Sequence, residues 1–564
     1  MLSPNADKLK ILFYHAGTNA WFYPAVLQFK TYIELHYPDA AARLEWLIPI
    51  QTQIDDQQLI DLVKSANADL LCTSHYIWNH DFLTKQLERV ASKIKKHVKI
   101  ISGGPSINVN DDLDFFEKYP YIDYAVFAAG EQAIADILIH LIFNKPLIAF
   151  NTSNCAWRHA KTNKAVVAEY KFVKMLEISP FVHNEQLFAE MSADFFQKNQ
   201  GMWFPYTLTR GCPYACTFCD WNSGLGNKVS RRKNTYQQEI DLFQKLGIKN
   251  IYLSDANVGQ YDEDIDMIEY FAQKNLVENA KFHIGGNFSK LQKENNLKIF
   301  NIMARGQLVN KTLNFSVQDI DKKVLENIDR PDVGWDVHVS MANELREQHS
   351  HLIVKAQLIY GLPGQTLESW KTTLSKTTNE NIYPNIMLNE PLPASPAMLD
   401  PEYQRRFQYE YMQSNRIFNG NLFSSLITKK SNSFSQADIV HMSIISGLYQ
   451  AMTIIKLAMI EHTKYELDID TIIDQLVETP EYQMLYNNLL TNWVDNNNFY
   501  YTIDFGNNPG NVGDVEFSKN LIYSKEFMKC VINYLPQHLR GQYAKLIVSD
   551  TFKTLNNEII MDFD

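Results

Sequence analysis

The chain has 564 residues and a formal net charge of −11, from 53 Lys and Arg against 64 Asp and Glu, with 45% hydrophobic and 12% aromatic residues. That length exceeds one ordinary domain and leads us to expect roughly three or four; the acidic balance argues against a nucleic-acid surface as main partner. Six cysteines in so long a chain, with an amino terminus (Met1 to Lys8) that does not read as a signal peptide, argue against a secreted disulfide framework and lead us to expect a reducing, cytoplasmic setting.

Residues 1 to about 150 alternate short apolar runs with helical stretches. Candidate strands are Lys10–Tyr14, Leu44–Ile48, Leu70–Thr73, Val98–Ile101 and Tyr124–Phe127, with helix-like segments such as Phe82 to Lys96 between them. The alternation predicts a parallel, doubly wound (Rossmann-like) α/β sheet, whose ligands bind at the carboxyl ends of the strands. Ser74, His75, Tyr76, Ile77, Trp78 and Asn79 follow the third strand. Ser102, Gly103, Gly104 and Pro105 follow the fourth, and Gly130 and Glu131 the fifth. Residues 151–200 have poor periodicity and read as a connecting segment.

A second strand-then-helix series runs over residues 201–400. Its strands are expected at Pro205–Thr209, Asn250–Leu253, Lys281–Ile284, Thr312–Phe315, Val354–Ile359 and Pro384–Leu388. Six such units predict a partial (β/α)6 TIM barrel, with chemistry at the carboxyl ends of its strands. Residues 401–564 read as a mainly helical domain, with helices at Tyr403 to Asn415, Gln436 to His462 and Asp470 to Val494, and a looser tail around Asp504 to Gly510. The apolar stretch Ile439 to Ile460 carries His441, Ser443, Gln450 and Lys456 and reads as a buried helix rather than a membrane span; no membrane partner is expected.

The loop after the first barrel strand is the most informative feature. Cys212, Cys216 and Cys219 have the spacing C-x3-C-x2-C. Three thiolates can hold three irons of a cubane 4Fe–4S cluster and leave the fourth open to a small molecule. A zinc site would need a fourth ligand, from His15, His75 or His283. Three scattered core cysteines would not bunch in one loop containing glycine and proline. Cys72, Cys155 and Cys530 read as buried small hydrophobes.

The cysteine spacing resembles that of the radical S-adenosylmethionine (radical SAM) superfamily. The resemblance implies an aromatic at Phe218 against the adenine of SAM. It also implies SAM-binding groups at the strand ends: Asp255 and Asn257 after the second, Asn287 after the third, Ser316 and Gln318 after the fourth, and Arg330 beyond. Gly361-Leu362-Pro363-Gly364-Gln365-Thr366 is similar to the family's turn after the fifth strand, and Pro391 to Pro396 to its proline-rich loop. Of Lys228, Arg231, Arg232 and Lys233, one or two are candidates to neutralise the SAM carboxylate or the cluster; a solvated basic loop is the plainer reading.

The S-x-Y-x-W-N segment, the G-G-P turn and the final G-E resemble the cobalamin-binding domain that precedes many radical SAM domains. By that resemblance Ser74, Tyr76, Trp78, Asn79, Ser102, Gly103, Gly104, Pro105, Gly130 and Glu131 would line the corrin, with Trp78 near its lower face. The D-x-H-x-x-G motif that supplies histidine to cobalt is absent. A flavodoxin-like domain without ligand remains the alternative.

Together these resemblances imply a class B-like, cobalamin-dependent radical SAM methyltransferase. A 5′-deoxyadenosyl radical would abstract hydrogen from an unactivated carbon, and methylcobalamin would deliver the methyl group. Such an enzyme takes a small-molecule or peptide substrate and electrons from a flavodoxin- or ferredoxin-type donor. The second reading is a radical SAM enzyme without methyl transfer: an epimerase, a rearrangement enzyme or a cyclase. An epimerase would need a thiol hydrogen donor, from Cys72, Cys155 or Cys530. A cobalamin-binding sensor or electron-transfer module is third. No side chain is assigned a direct catalytic role.

Overall fold

Short apolar runs become strands wherever both faces are covered, and β1 (Leu9–Gly17) is buried along almost its whole length. With β2 (Leu44–Trp46), β3 (Ile50–Thr52), β4 (Leu70–Ser74), β5 (Lys99–Gly103), β6 (Tyr124–Val126), β7 (Cys155–Arg158) and β8 (Ala165–Val167) it forms one sheet. The order is β2-β1-β4-β5-β6-β7-β8, with β3 also paired to β1. Pairing is parallel from β2 to β6 and antiparallel from β6 through β8. The chain serves one side of β1 first and the other side with β4, so the topological switch lies between β1 and β4.

The structure is a computed structural model that describes residues 8–17, 21–94, 98–107, 109, 114–148, 151–159, 161–162, 164–198, 201–221, 227–418, 421–480, 482–484, 486–487, 499–504, 510–511, 531–533, 535, 537–540 and 543. The chain separates into two units, Met1–Pro213 with Asn222–Asp255, and Tyr214–Trp221 with Ala256–Asp564.

In the first unit, helix His80–Ile94 buries Leu83, Leu87, Val90, Ala91 and Ile94, the three-and-four spacing of one helical face. Helix Asp56–Ser65 starts at a capping box formed by Asp55 and Gln58. The stretch expected as a connector instead adds β7 and β8 to the sheet and then forms helices Pro180–His183 and Glu185–Lys198. Those helices pack through aromatic rings: Phe181 lies 5.3 Å from Phe188, and Phe204 lies 4.8 Å from Phe243, centroid to centroid. Phe204 belongs to β9 (Trp203–Tyr206). The hairpin strands β10 (Thr209–Arg210) and β11 (Ser230–Arg231) pair antiparallel. β9 pairs in parallel with β12 (Asn250–Val258), Trp203 opposite Asn250.

In the second unit β13 (His283–Phe288) precedes a parallel sheet of β14 (Thr312–Gln318), β15 (Ile353–Tyr360) and β16 (Tyr383–Leu388). All six strands expected between 201 and 400 are therefore present, most of them longer than the apolar run that announced them. The register of β14 shifts between Ser316 and Gln318, a bulge at the strand's carboxyl end.

The carboxy-terminal part adds to its helices a sheet that the sequence pattern did not announce. Helix Pro401–Phe407 stops at Gln408, which takes a left-handed φ of 51°. The chain then runs extended as β17 (Glu410–Phe418) and returns as β18 (Asn421–Lys430). With β19 (Phe499–Asp504) and β20 (Gly510–Asn511) these make a sheet of order β18-β17-β19-β20. The expected helix at Gln436 is found as Gln436–Thr463, started by a Ser435–Asp438 capping box. It is long and apolar enough to cross a bilayer, but its apolar stretch is 83% buried, as in a core helix. Helix Ile469–Leu476 covers the start of the third expected helix; residues 488–494, 505–509 and Cys530 lie outside the described residues.

Candidate functional site: the cysteine loop and the strand ends

The cysteine loop leaves the first unit at β10 and re-enters it at β11. Gly211 has a φ of +87°, and a Cβ there would meet the Lys228 carbonyl oxygen at 2.1 Å. Only glycine fits where the outgoing chain passes the returning one. Cys212 is buried beside it.

Within the second unit, Thr217 holds the loop. Its N–H donates to the Ile328 carbonyl (3.0 Å), its carbonyl accepts from Ala397 N–H (2.8 Å), and its hydroxyl lies 2.9 Å from that of Tyr403. Phe218 packs on a cluster of Val324, Leu325, Ile328, Ile359 and Leu362. Cys219 N–H donates to the Cys216 carbonyl at 3.1 Å. The Lys290 Nζ lies 3.5 Å from Cys216 Sγ and 4.6 Å from the centre of the Tyr214 ring. Arg330, only 5% exposed, donates to the carbonyls of Ser316 and Val317 at the β14 bulge, and the Cys216 thiol acts on its charge. Burial lowers the pKa of its guanidinium, against the pull of Cys216 and Asp332.

Two cations at one cysteine sulfur suit a thiolate that carries part of an anionic cluster's charge. Burial pushes the free Cys219 thiol up to about 11; a metal would displace that proton. Among the described residues no three His, Cys, Asp or Glu side chains converge as ligands of one ion. A cubane places each cysteine on a different iron, so its ligands need not meet at a point.

The other strand-end residues divide. Gln318, with φ +66°, is buried at the bulge, and its Oε1 has no hydrogen-bond partner among the described residues. Ser316 Oγ donates to Gln357 Oε1 at 3.0 Å. Asn257 is buried at the end of β12 and Asn287 half-buried on β13. Asp255 accepts from Leu208 N–H at 2.8 Å and faces Arg231 at 4.0 Å, so it braces the strand that leads into the cysteine loop. Arg232 is fully buried in an ion pair with Glu239 at 2.9 Å, and Arg231 donates to Thr209 Oγ1. Both are engaged within their own unit, while Lys228 and Lys233 are exposed. Lys290 and Arg330 supply the positive charge at Cys216.

In the first sheet the expected residues do come to one edge. Asn79, fully buried, donates to the carbonyls of His15 (2.8 Å) and Ser74 (3.0 Å) and accepts from Tyr76 N–H (2.7 Å), so it ties the loop after β4 to the end of β1. Tyr76 stacks on Trp78 at 4.6 Å and 10°. Ser102 hydroxyl reaches Thr73 (2.8 Å), Thr73 reaches His75 Nε2 (3.0 Å), and His75 Nδ1 reaches His80 Nδ1 (3.2 Å). Burial keeps both histidines neutral. His75 N–H donates to the Gly103 carbonyl at 2.7 Å, and a Cβ on Gly104, at φ +106°, would fall 2.4 Å from the His75 carbonyl oxygen. The glycine is therefore required by its neighbouring loop, not only by a ligand. Pro105 is exposed. Gly130 caps the helix Glu131–Phe143, and Glu131 forms an ion pair with Arg210. The orphaned nitrogens of His15 at this edge fit a polar ligand. Cys72 and Cys155 are buried in the sheet, the Cys155 thiol pushed up to about 12 by burial. Neither is exposed as a hydrogen donor.

Sequence reasoning missed Lys290, Thr217 and Tyr403. Lys290 had a signal, since it lies two residues beyond β13.

Residues 206–376 match the model of the radical SAM superfamily. The chain carries a radical SAM domain. That domain contains the cysteine loop, Phe218, Lys290 and Arg330. The chain is 26% identical over 399 residues to the cobalamin-dependent radical SAM methyltransferase TokK of Streptomyces tokunonensis, covering 67% of this chain and 56% of that one. It is 25% identical over 389 residues to the 2-(S-pantetheinyl)-carbapenam-3-carboxylate methyltransferase of Streptantibioticus cattleyicolor, covering 67% and 54%. The match thus spans about half the length of these relatives. Among solved structures, the cobalamin-dependent radical SAM enzyme OxsB with aqua-cobalamin bound is similar in fold, with a TM-score of 0.57, 12% identity, and 98% and 82% of the two chains covered. TsrM from Kitasatospora setae, with cobalamin and a 4Fe–4S cluster bound, matches at a TM-score of 0.52 and 11% identity over 70% and 75%. The likeness to these two solved structures is one of α/β fold.

Proposed function

We propose that this chain is a cobalamin-dependent radical SAM methyltransferase acting on an unactivated carbon of a small-molecule or peptide substrate. The observation that carries the reading is the cysteine loop with Lys290 and Arg330 at Cys216 and Phe218 on its apolar cluster. The similarity to two methyltransferases at about a quarter identity supports methyl transfer as the outcome.

Cys212, Cys216 and Cys219 would hold the cluster, and Ser74 to Asn79 with Ser102 to Pro105 would hold the corrin. When bound, these groups and SAM supply the 5′-deoxyadenosyl radical and the transferable methyl group. The chain's own residues do the rest. Arg330 and Lys290 offset negative charge at Cys216. Phe218 offers an apolar face, and Gln318 and Asn257 offer polar atoms at neighbouring strand ends. Thr217 and Tyr403 fix the loop so that the bound groups stay in place. We assign residues 1–150 to corrin binding, 151–200 to connection, 201–400 to SAM chemistry and 401–564 to substrate recognition. The enzyme would work in a reducing cytoplasm with a flavodoxin- or ferredoxin-type donor.

A test independent of substrate is anaerobic reconstitution with iron, sulfide and hydroxocobalamin, followed by reductant and SAM labelled in its methyl group. Label recovered on the corrin, with S-adenosylhomocysteine and 5′-deoxyadenosine, is expected. 5′-Deoxyadenosine without label transfer would overturn methyl transfer and leave a radical SAM enzyme of another outcome. The first substrate to add is 2-(S-pantetheinyl)-carbapenam-3-carboxylate, for a product one methylene heavier.

A further inference from the structure

His15 lies at the carboxyl end of β1, at the topological switch between β1 and β4, where sheets of this order hold their ligands. Its side chain is 1% exposed, and neither Nδ1 nor Nε2 has a hydrogen-bond partner among the described residues. The ring is stacked on Tyr23 at 5.1 Å and 11°, and on Phe13 at 6.1 Å and 23°. Its backbone carbonyl is held by Asn79 of the Ser74–Asn79 loop. Nearby polar groups are paired: Asn79 makes three hydrogen bonds, and Thr73, Ser102, His75 and His80 form a continuous chain. Both nitrogens of the His15 imidazole are buried without a hydrogen-bond partner among the described residues. An unmade bond on a buried polar group costs roughly 1–3 kcal/mol, so such groups in folded proteins normally have a reason.

We propose that His15 is a recognition residue for primary amides of the corrin periphery, one at each ring nitrogen, an inference that rests on the cobalamin-binding reading above. A neutral imidazole offers one donor and one acceptor on opposite sides of the ring. Primary amides supply both complements, an oxygen for the N–H and an NH2 for the bare nitrogen, each from a different amide. A fully ionised phosphate could accept from the N–H but has no donor for the bare nitrogen. Burial pushes the His15 pKa down to about 3, which keeps the ring neutral. The corrin macrocycle is fringed with primary amides, and the carboxyl edge of this sheet is where the S-x-Y-x-W-N and G-G-P loops already lie.

The experiment titrates the full chain with hydroxocobalamin, followed by equilibrium dialysis and by the change in corrin absorption, and reads the thermal midpoint of the cobalamin-free protein in parallel. His15→Phe keeps the aromatic stack and deletes both nitrogens. We expect binding to weaken about ten- to hundredfold, the loss of two ordinary hydrogen bonds, with a thermal midpoint equal to or above wild type because two unpartnered polar atoms are removed. His15→Gln, which retains a donor and an acceptor, should recover part of the affinity. If His15→Phe does not fold, cobalamin monocarboxylates decide with the wild-type chain and His15→Gln: one isomer, with the amide that donates to the bare nitrogen turned to carboxylate, should lose at least about tenfold on wild type. Wild-type binding that His15→Phe leaves within about twofold, or monocarboxylates that all bind like hydroxocobalamin, would overturn the role of His15 and leave the cobalamin reading standing. A wild-type chain that binds no hydroxocobalamin would overturn both.

Discussion

A buried guanidinium keeps its charge and therefore needs its donors answered, and Arg330 directs its own at the Ser316 and Val317 carbonyls, with the Cys216 thiol pulling on its charge. Arg330→Met should therefore act twice. It strands two carbonyls at the bulge, at a cost of about 2–3 kcal/mol in denaturant unfolding, as for hydrogen bonds to a charged group. It also leaves Lys290 as the single cation at Cys216. Lys290→Met removes the other charge without touching the bulge, so stability should stay within about 0.5 kcal/mol of wild type. After reconstitution, redox titration should then show a more negative cluster potential. A second residue carries a pH signature. Asp319, 1% exposed, is pushed up to about 6 by burial, although it accepts from Thr373, Gln365 and the N–H groups of Ile320 and Asp321. The folded state holds that proton more tightly than the unfolded chain. Stability is full below the ordinary carboxylate value of 3.8 and declines as pH rises toward about 6. Unfolding midpoints measured from pH 4 to 7 should show this decline, and Asp319→Asn should flatten it.

The cysteine loop is a local element whose shape comes from outside itself: Gly211 and Lys228 at its base, Thr217 on Ile328, Ala397 and Tyr403 at its middle. Tyr403→Phe removes one hydroxyl contact and should cost about 0.5–1.5 kcal/mol. Iron retained after desalting should drop with it, while Tyr403→His or another donor should restore part. How much of this was readable beforehand follows from range. The C-x3-C-x2-C spacing, Phe218 and the strands were legible because their signals are local. The bulge at Val317, the Lys290 approach and the Tyr403 contact were not, because each joins residues dozens of positions apart. β17 was mistaken for helix because Tyr403 to Asn415 has helical-looking polarity, and the left-handed turn at Gln408 leaves no mark in composition. β7 and β8 are three or four residues each and carry too little periodicity to announce a strand.

At the scale of the whole molecule, acidity and core length set the class, and strand-then-helix rhythm set the fold. What rhythm does not encode is which charges answer each other. Arg231 and Arg232, two of four basic residues read either as ligand-directed cations or as a solvated loop, are found paired with Asp255 and Glu239. Glu131, expected at the corrin, is paired with Arg210. That last pair has a mechanical meaning. Glu131 opens the helix after β6, and Arg210 stands two positions before Cys212. If the corrin and cluster bind at the proposed residues, a macrocycle that drew the carboxylate to itself would withdraw the counter-charge from the root of the cysteine hairpin, and a cluster seated there would restrain the carboxylate, so that loading of one centre should tune retention of the other. Glu131→Gln, assayed for iron and cobalt on the same sample, should sever this cross-talk: each metal would then bind with an affinity indifferent to whether its counterpart is present.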